Sequence, residues 1–169
     1  MLSPDGRWRF DSTATLTNPV APSSASPYQP IVKKFSVAFN TDKWNIVPPK
    51  DGEPPNKRLF ANKSLPIYAM VISDEIPVTT AAMKDVILYN VKSIDTSPTT
   101  LLDQPVNING KEAGAIRVLA ANKGLEFIFS TYYYGDTDGN IQVTCYTAQS
   151  LFFKYESDCQ QFVSGLAIK

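Results

Sequence analysis

Residues 106–146 read VNINGKEAGAIRVLAANKGLEFIFSTYYYGDTDGNIQVTCY, and this stretch decides the fold class. Val106-Asn107-Ile108 leads into Asn109-Gly110, a dipeptide suited to φ > 0 and hence to a tight hairpin turn. Ala115–Ala121 reads as the return strand, Asn122-Lys123-Gly124 as the next turn, and Leu125–Tyr134 as a long aromatic strand. Gly135–Gly139 turns the chain once more into a last strand, Asn140–Tyr146. Strands in hairpin-linked runs, rather than alternating with helices, predict an α+β fold: an antiparallel β-sheet flanked by helices.

The flanking segments fit that reading. Phe35–Phe39 alternates apolar and polar residues, and Trp44, Ile46 and Val47 follow a short polar turn. Pro48–Asn56 holds four prolines among polar residues and predicts an exposed loop. Ile67–Ile72 is a compact apolar run bounded by Pro66, read as a central strand. Over Thr79–Ile94 the period changes: Met83, Val86, Ile87, Val91 and Ile94 fall along one helical face. Thr79 or Thr80 can cap its start, and Ser97-Pro98 ends it. A second helix is predicted from about Ser150 to Leu166. Its buried stripe is Phe152, Tyr155, Cys159, Phe162, Val163 and Leu166, with Lys154, Glu156, Asp158 and Gln160 outward. The element order is roughly β-β-β-α-β-β-β-α. Ahead of it, Trp8, Phe10, Ala14 and Leu16 alternate as in a half-buried strand. Asn18–Pro30 carries Pro19, Pro22, Pro27 and Pro30 and reads as a loop. The domain layout predicted is an N-terminal strand and linker over 1–30 and one α+β domain over 31–169.

Composition excludes several functions. The 169 residues carry 16 Lys+Arg and 16 Asp+Glu, a formal net charge of zero. That balance argues against nucleic-acid binding, which usually rests on a clustered basic surplus. Histidine is absent, so no nucleophile–His–acid triad can form within the chain. Cys145 and Cys159 are the only thiols, too few for a structural zinc site. Neither of the usual glycine-rich phosphate cradles occurs. No apolar run approaches the ~20 residues of a membrane-spanning helix. Met1-Leu2-Ser3-Pro4-Asp5-Gly6 is no signal peptide, which fits a cytosolic chain or a mature, trimmed one.

Cys145 shares a strand face with Ile141 and Val143, and Cys159 a helix face with Tyr155 and Phe162. If the helix folds back over the strand, both sulfurs enter one interface, as a disulfide or as two reduced core thiols. A disulfide would indicate an oxidising compartment. Asp136–Asn140 resembles the start of a calcium loop, but the sixth position is Ile141 and the twelfth Thr147, so a hairpin turn is expected. Alternation sends Tyr133 to one face and Tyr132 and Tyr134 to the other, which predicts packing rather than one stacking surface. Asn62-Lys63-Ser64 fits a glycosylation sequon that chance supplies often. Asp74, Glu75 and Glu53 are read as solvated carboxylates. The loop at Pro48–Pro55 is read as a connection, or as the contact of a cytosolic adaptor.

The order of elements resembles the PsbP-like superfamily, small α/β/α sandwiches. It includes the extrinsic subunit of photosystem II and bacterial periplasmic lipoproteins of the DcrB kind. The matching features are Phe35–Phe39 followed by Lys43-Trp44, the helix after Ile67–Ile72, and Ile108-Asn109-Gly110 leading into a strand pair. The terminal strand and helix, ending at Phe162–Leu166, also match. The likeness covers residues 33–169. Asn40–Lys43 stands where the family usually has a proline before Gly-Trp, and the photosystem members' lumenal targeting segment is absent. The resemblance implies a non-enzymatic accessory or binding domain with no catalytic residues, cofactor or metal. It also implies periplasmic or other extracytoplasmic export, a lipid anchor ahead of residue 1 and an unidentified protein partner. The competing expectations are a small-ligand-binding protein or carboxylate- or tyrosine-based hydrolase, and the cytosolic adaptor.

Overall fold

Two antiparallel sheets and two short helices share one core, and a longer helix packs on the far face of the larger sheet. The structure is a computed structural model and describes residues 25–169. The strand expected at Trp8–Leu16 lies outside the described residues. In chain order the strands before the first helix are β1 (Ala25–Tyr28), β2 (Phe35–Asn40), β3 (Trp44–Ile46), β4 (Lys57–Asn62) and β5 (Tyr68–Asp74). Helix α1 (Thr80–Lys92) precedes β6 (Thr99–Ile108), β7 (Lys111–Asn122), β8 (Leu125–Asp136) and β9 (Gly139–Ala148). Two short helices, α2 (Gln149–Phe152) and α3 (Glu156–Val163), lead to β10 (Leu166–Ile168).

The larger sheet runs β3-β4-β5-β9-β8-β7-β6 and the smaller one β1-β2-β10, every neighbouring pair antiparallel. The fold is therefore α+β. The meander expected from residues 106–146 is its spine. Asn109 and Gly110 have φ of 51° and 79°, as do Lys123 and Gly124. Positive φ at both central residues gives a turn whose twist matches the strands it joins.

Alternation along the spine separates two apolar faces. Ile141, Val143 and Cys145 of β9 join Tyr132 and Tyr134 of β8 and Ala113 and Ala115 of β7 in the core shared with the smaller sheet and α2–α3. Ile116, Val118, Ala120 and Tyr133 point the other way and receive Met83, Ile87 and Val91 of α1. The Thr79 hydroxyl caps α1 by accepting from the Ala82 amide at 3.2 Å.

Several sequence expectations are corrected. Part of the supposed loop Asn18–Pro30 is β1, an edge strand where Pro27 needs no partner for a missing N–H. β6 starts at Thr99 rather than Val106, and it too is an edge strand that tolerates a proline, Pro105. The single helix over Ser150–Leu166 is two short helices broken at Phe153–Tyr155, and Leu166 lies in a strand that pairs with β2. Val86 and Ile94 do not join the buried face of α1 but remain half-exposed. The helix packs chiefly on β7 and β8, and its buried face is Met83, Ile87 and Val91.

Candidate binding face

The two faces of the larger sheet end up in different conditions. Its core face is closed. Cys145 and Cys159 are bonded there, with Cα atoms 5.3 Å apart, tying β9 to α3 inside the core. Both cysteines are buried, as a strand–helix pair meeting beneath α3 requires. Beside them Arg117 is 6% exposed: its Nη1 donates to Glu156 Oε1 at 2.9 Å and its guanidinium lies over the Phe152 ring at 4.8 Å. Glu156 was expected to look outward and instead turns in to neutralise this cation. The Tyr132 hydroxyl, held by Gln160, has its pKa raised by burial, with Gln160 and Ser164 opposing. These groups bolt α2 and α3 onto the sheet.

The tip of the β8–β9 hairpin is another closed polar cluster. Lys34 bonds Asp136 and, at 2.9 Å, Asp138. The Tyr134 hydroxyl donates to Asp136 at 3.0 Å. Burial alone would push the Asp136 carboxyl up, but Lys34, the Asp138 amide and Tyr134 outweigh it and hold the group below the ordinary value. The calcium-like sequence is thus a turn whose carboxylates are spent on lysine. Among the described residues, no three acidic or sulfur ligands gather to hold a metal ion. All three tyrosines of Tyr132–Tyr134 are buried on alternate faces. Asn62 of the sequon is folded into a turn, its Oδ1 accepting from the Ser64 and Leu65 amides, and its Nδ2 is buried. Asp74 is occupied by Asn56 at 3.2 Å, Glu53 accepts from the Lys50 amide at 3.2 Å, and Glu75 is exposed. None of these carboxylates faces a second one across a cleft.

The opposite face of the sheet is only half roofed. α1 lies over β7 and β8 and leaves β4, β5 and part of β9 uncovered. Along the helix edge runs a groove of about 100 Å³. Met70 and Ile72 of β5 form one wall, and Ile87, Asn90, Val91 and Ile94 the other. Its floor includes Val118, Phe129, Thr131, Thr144 and Gln142, and no charged side chain lines it. A row of rings extends the face across three strands: Phe129 stacks on Tyr146 at 5.4 Å, and Tyr146 meets Tyr68 at 5.8 Å. Burial, and then the nearby Tyr68, raise the Tyr146 pKa. Tyr68 is 46% exposed. Sequence reading missed this face because it is made of strands distant in the chain. The one local signal was Ile94, apolar at helical spacing and yet 45% exposed.

No protein-family model matches the chain, and no curated protein matches it either. Solved structures do match. Cyanobacterial PsbP (CyanoP) from Synechocystis sp. PCC 6803 superposes with a TM-score of 0.61 at 14% identity, covering 89% of this chain and 95% of that one. The fold is PsbP-like. The Saccharomyces cerevisiae Ran-binding protein Mog1p shares this PsbP-like arrangement, with a TM-score of 0.55 at 10% identity over 85% of this chain and 95% of its own. So does LpqN, involved in cell envelope biogenesis of Mycobacterium tuberculosis, with a TM-score of 0.51 at 11% identity over 86% and 85%. The chain spans only 49% of a similar Bacteroides thetaiotaomicron structure (TM-score 0.56, 10% identity, 86% of this chain). At these identities the likeness concerns the PsbP-like fold alone, which agrees with the resemblance read from the element order. Among the described residues no helix is long and apolar enough to cross a membrane.

Proposed function

We propose that this chain is a non-enzymatic accessory domain that works outside the reducing cytosol and binds another polypeptide through the half-roofed face beside α1. The observation that carries this reading is the contrast between the two sides of the larger sheet. One is sealed by a second sheet, two helices and a covalent bridge; the other leaves a neutral groove and a tyrosine row open beside exposed Ile94. Contiguous exposed apolar surface of this kind marks interaction sites in soluble domains. The Cys145–Cys159 bridge supports an oxidising compartment. Export to the periplasm behind a lipid anchor fits the same picture, as does the involvement of LpqN in cell envelope biogenesis, while Mog1p is a Ran-binding protein. The carboxylates sit in turns and ion pairs rather than across a pocket, which favours binding over carboxylate-based hydrolysis.

The test is the size of the native complex. Protein from its own compartment should elute above its monomer mass, Ile94→Asp on the open face should return it to the monomer, and Ser157→Asp on exposed α3 should leave the complex intact. Monomeric wild type, or equal loss from both substitutions, overturns the reading.

A further inference from the structure

We propose that Tyr68 and Tyr146 are a site of oxidative modification, at which a peroxidase-class oxidant with hydrogen peroxide couples the two phenol rings into a dityrosine link between β5 and β9. The ring pair carries this independently of what the open face binds. Register comes first. The two residues are direct cross-strand partners, so their rings stand side by side off the same face of the sheet. The ring centroids are 5.8 Å apart and the planes tilt by 30°. A biaryl bond joins two rings edge to edge near a common plane. The low tilt of this pair allows that, whereas an edge-on pair such as Phe152–Phe153, at 89°, does not.

The reacting atoms are close as well. Burial and then the phenol of Tyr68 raise the Tyr146 pKa, so the two phenols lie within electrostatic reach of each other. Coupling takes place at the carbons ortho to the hydroxyls, next to those same groups. Tyr68 is 46% exposed and meets the oxidant, while Tyr146 is half-buried beside it. Rotamer motion of an exposed side chain, on the ps–ns scale, closes the remaining gap. Each phenol gives up one electron and its hydroxyl proton to become a tyrosyl radical. The two radicals pair their electrons in a new carbon–carbon bond, and the hydrogen on each joined carbon moves back to its phenol oxygen. The chain thus loses two hydrogens, which reduce one hydrogen peroxide to two waters.

Other tyrosines do not compete within the chain. Among the described residues, which include all eight tyrosines, Tyr68–Tyr146 is the one contact between two tyrosine rings. Tyr132, Tyr133 and Tyr134 are buried on alternate faces. Tyr89 is 77% exposed on α1 and couples only with another molecule.

The experiment treats the dilute, disulfide-bonded chain with a haem peroxidase and limiting hydrogen peroxide, then examines the monomer by dityrosine fluorescence and peptide mass spectrometry. Expected is a monomer lighter by two hydrogens, its peptides joined at Tyr68 and Tyr146, formed at a rate independent of protein concentration. Tyr68→Phe and Tyr146→Phe each keep the ring and should each abolish the link. Tyr68→Phe, at an exposed position, serves alone if the other variant does not fold. Tyr89→Phe should leave the link in place and remove the product joined between chains. Absence of intrachain dityrosine, a link that persists in Tyr68→Phe, or product confined to covalent dimers overturns the proposal.

Discussion

The ring of Tyr133 occupies the space that a side chain at Gly114 would need. The two residues are cross-strand partners on β7 and β8, and a Cβ at Gly114 would lie 2.1 Å from Tyr133 Cζ. An aromatic ring laid over a glycine on the next strand covers exposed backbone and fixes the ring's position. Here it gives α1 a firm floor, since Tyr133 belongs to the apolar cluster that receives Met83, Ile87 and Val91.

Gly114→Ala should therefore destabilise the domain by about 2 kcal/mol, the usual scale for an added carbon in a packed interior. In a Tyr133→Ala background the same change should cost close to nothing, because the ring it displaces is gone. A denaturant double-mutant cycle reads the coupling. Additive losses would mean that the ring and the glycine do not share that space.

The bridge between Cys145 and Cys159 closes a sequence separation of 14 residues. Restricting an unfolded loop of that length stabilises a domain by about 3 kcal/mol. Replacing both cysteines by alanine should lower the unfolding free energy by that amount while the fold persists. In protein taken from its own compartment, alkylation before reduction should add nothing, and after reduction two groups. Two groups before reduction would remove the exported part of the proposed function.

The Lys34–Asp136 pair should give stability a defined pH window. Asp136 is held below the carboxylate value of 3.8, so its contribution is full above that value and is lost as pH falls through the folded pKa. Hydrogen bonds to Asp136, then to Asp138, raise Lys34 above 10.5, so its contribution is full below 10.5 and is lost as pH rises further. Lys34→Met should cost about 1 kcal/mol near neutral pH, solvent access at the hairpin tip keeping the figure small. The gap from wild type should narrow as pH drops below 3.8. A gap that stays constant into acid would place the lysine's contribution in its packing.

What the sequence disclosed, and what it hid, follows from whether the deciding contacts are local. Asn109-Gly110 and Asn122-Lys123-Gly124 are turns by their own conformational preferences, so the meander was legible. So was α1, whose Thr79 cap and Met83–Ile87–Val91 spacing are properties of one segment. β4 went unread because Lys57-Arg58-Leu59-Phe60 does not alternate cleanly and follows a proline-rich loop, and its strand character comes from pairing with β5. The smaller sheet joins residues near both ends of the described chain, and β10 beyond Gly165 has only three residues to announce it. The inward turn of Glu156 was hidden because its cause, Arg117, lies 39 residues away. The groove is of the same kind: Gln142 looks ordinary on β9 until β5 and α1 are set beside it.

The central claim is that the partner is met through the open face, and photo-crosslinking tests it most directly. Benzoylphenylalanine at Asn90, on the groove wall, and at Ser157, on exposed α3, is irradiated in the native compartment. A discrete polypeptide adduct from position 90, competed away by excess unlabelled domain and absent from position 157, is the predicted result. An adduct from position 157 alone, or the same adducts from both, would contradict it.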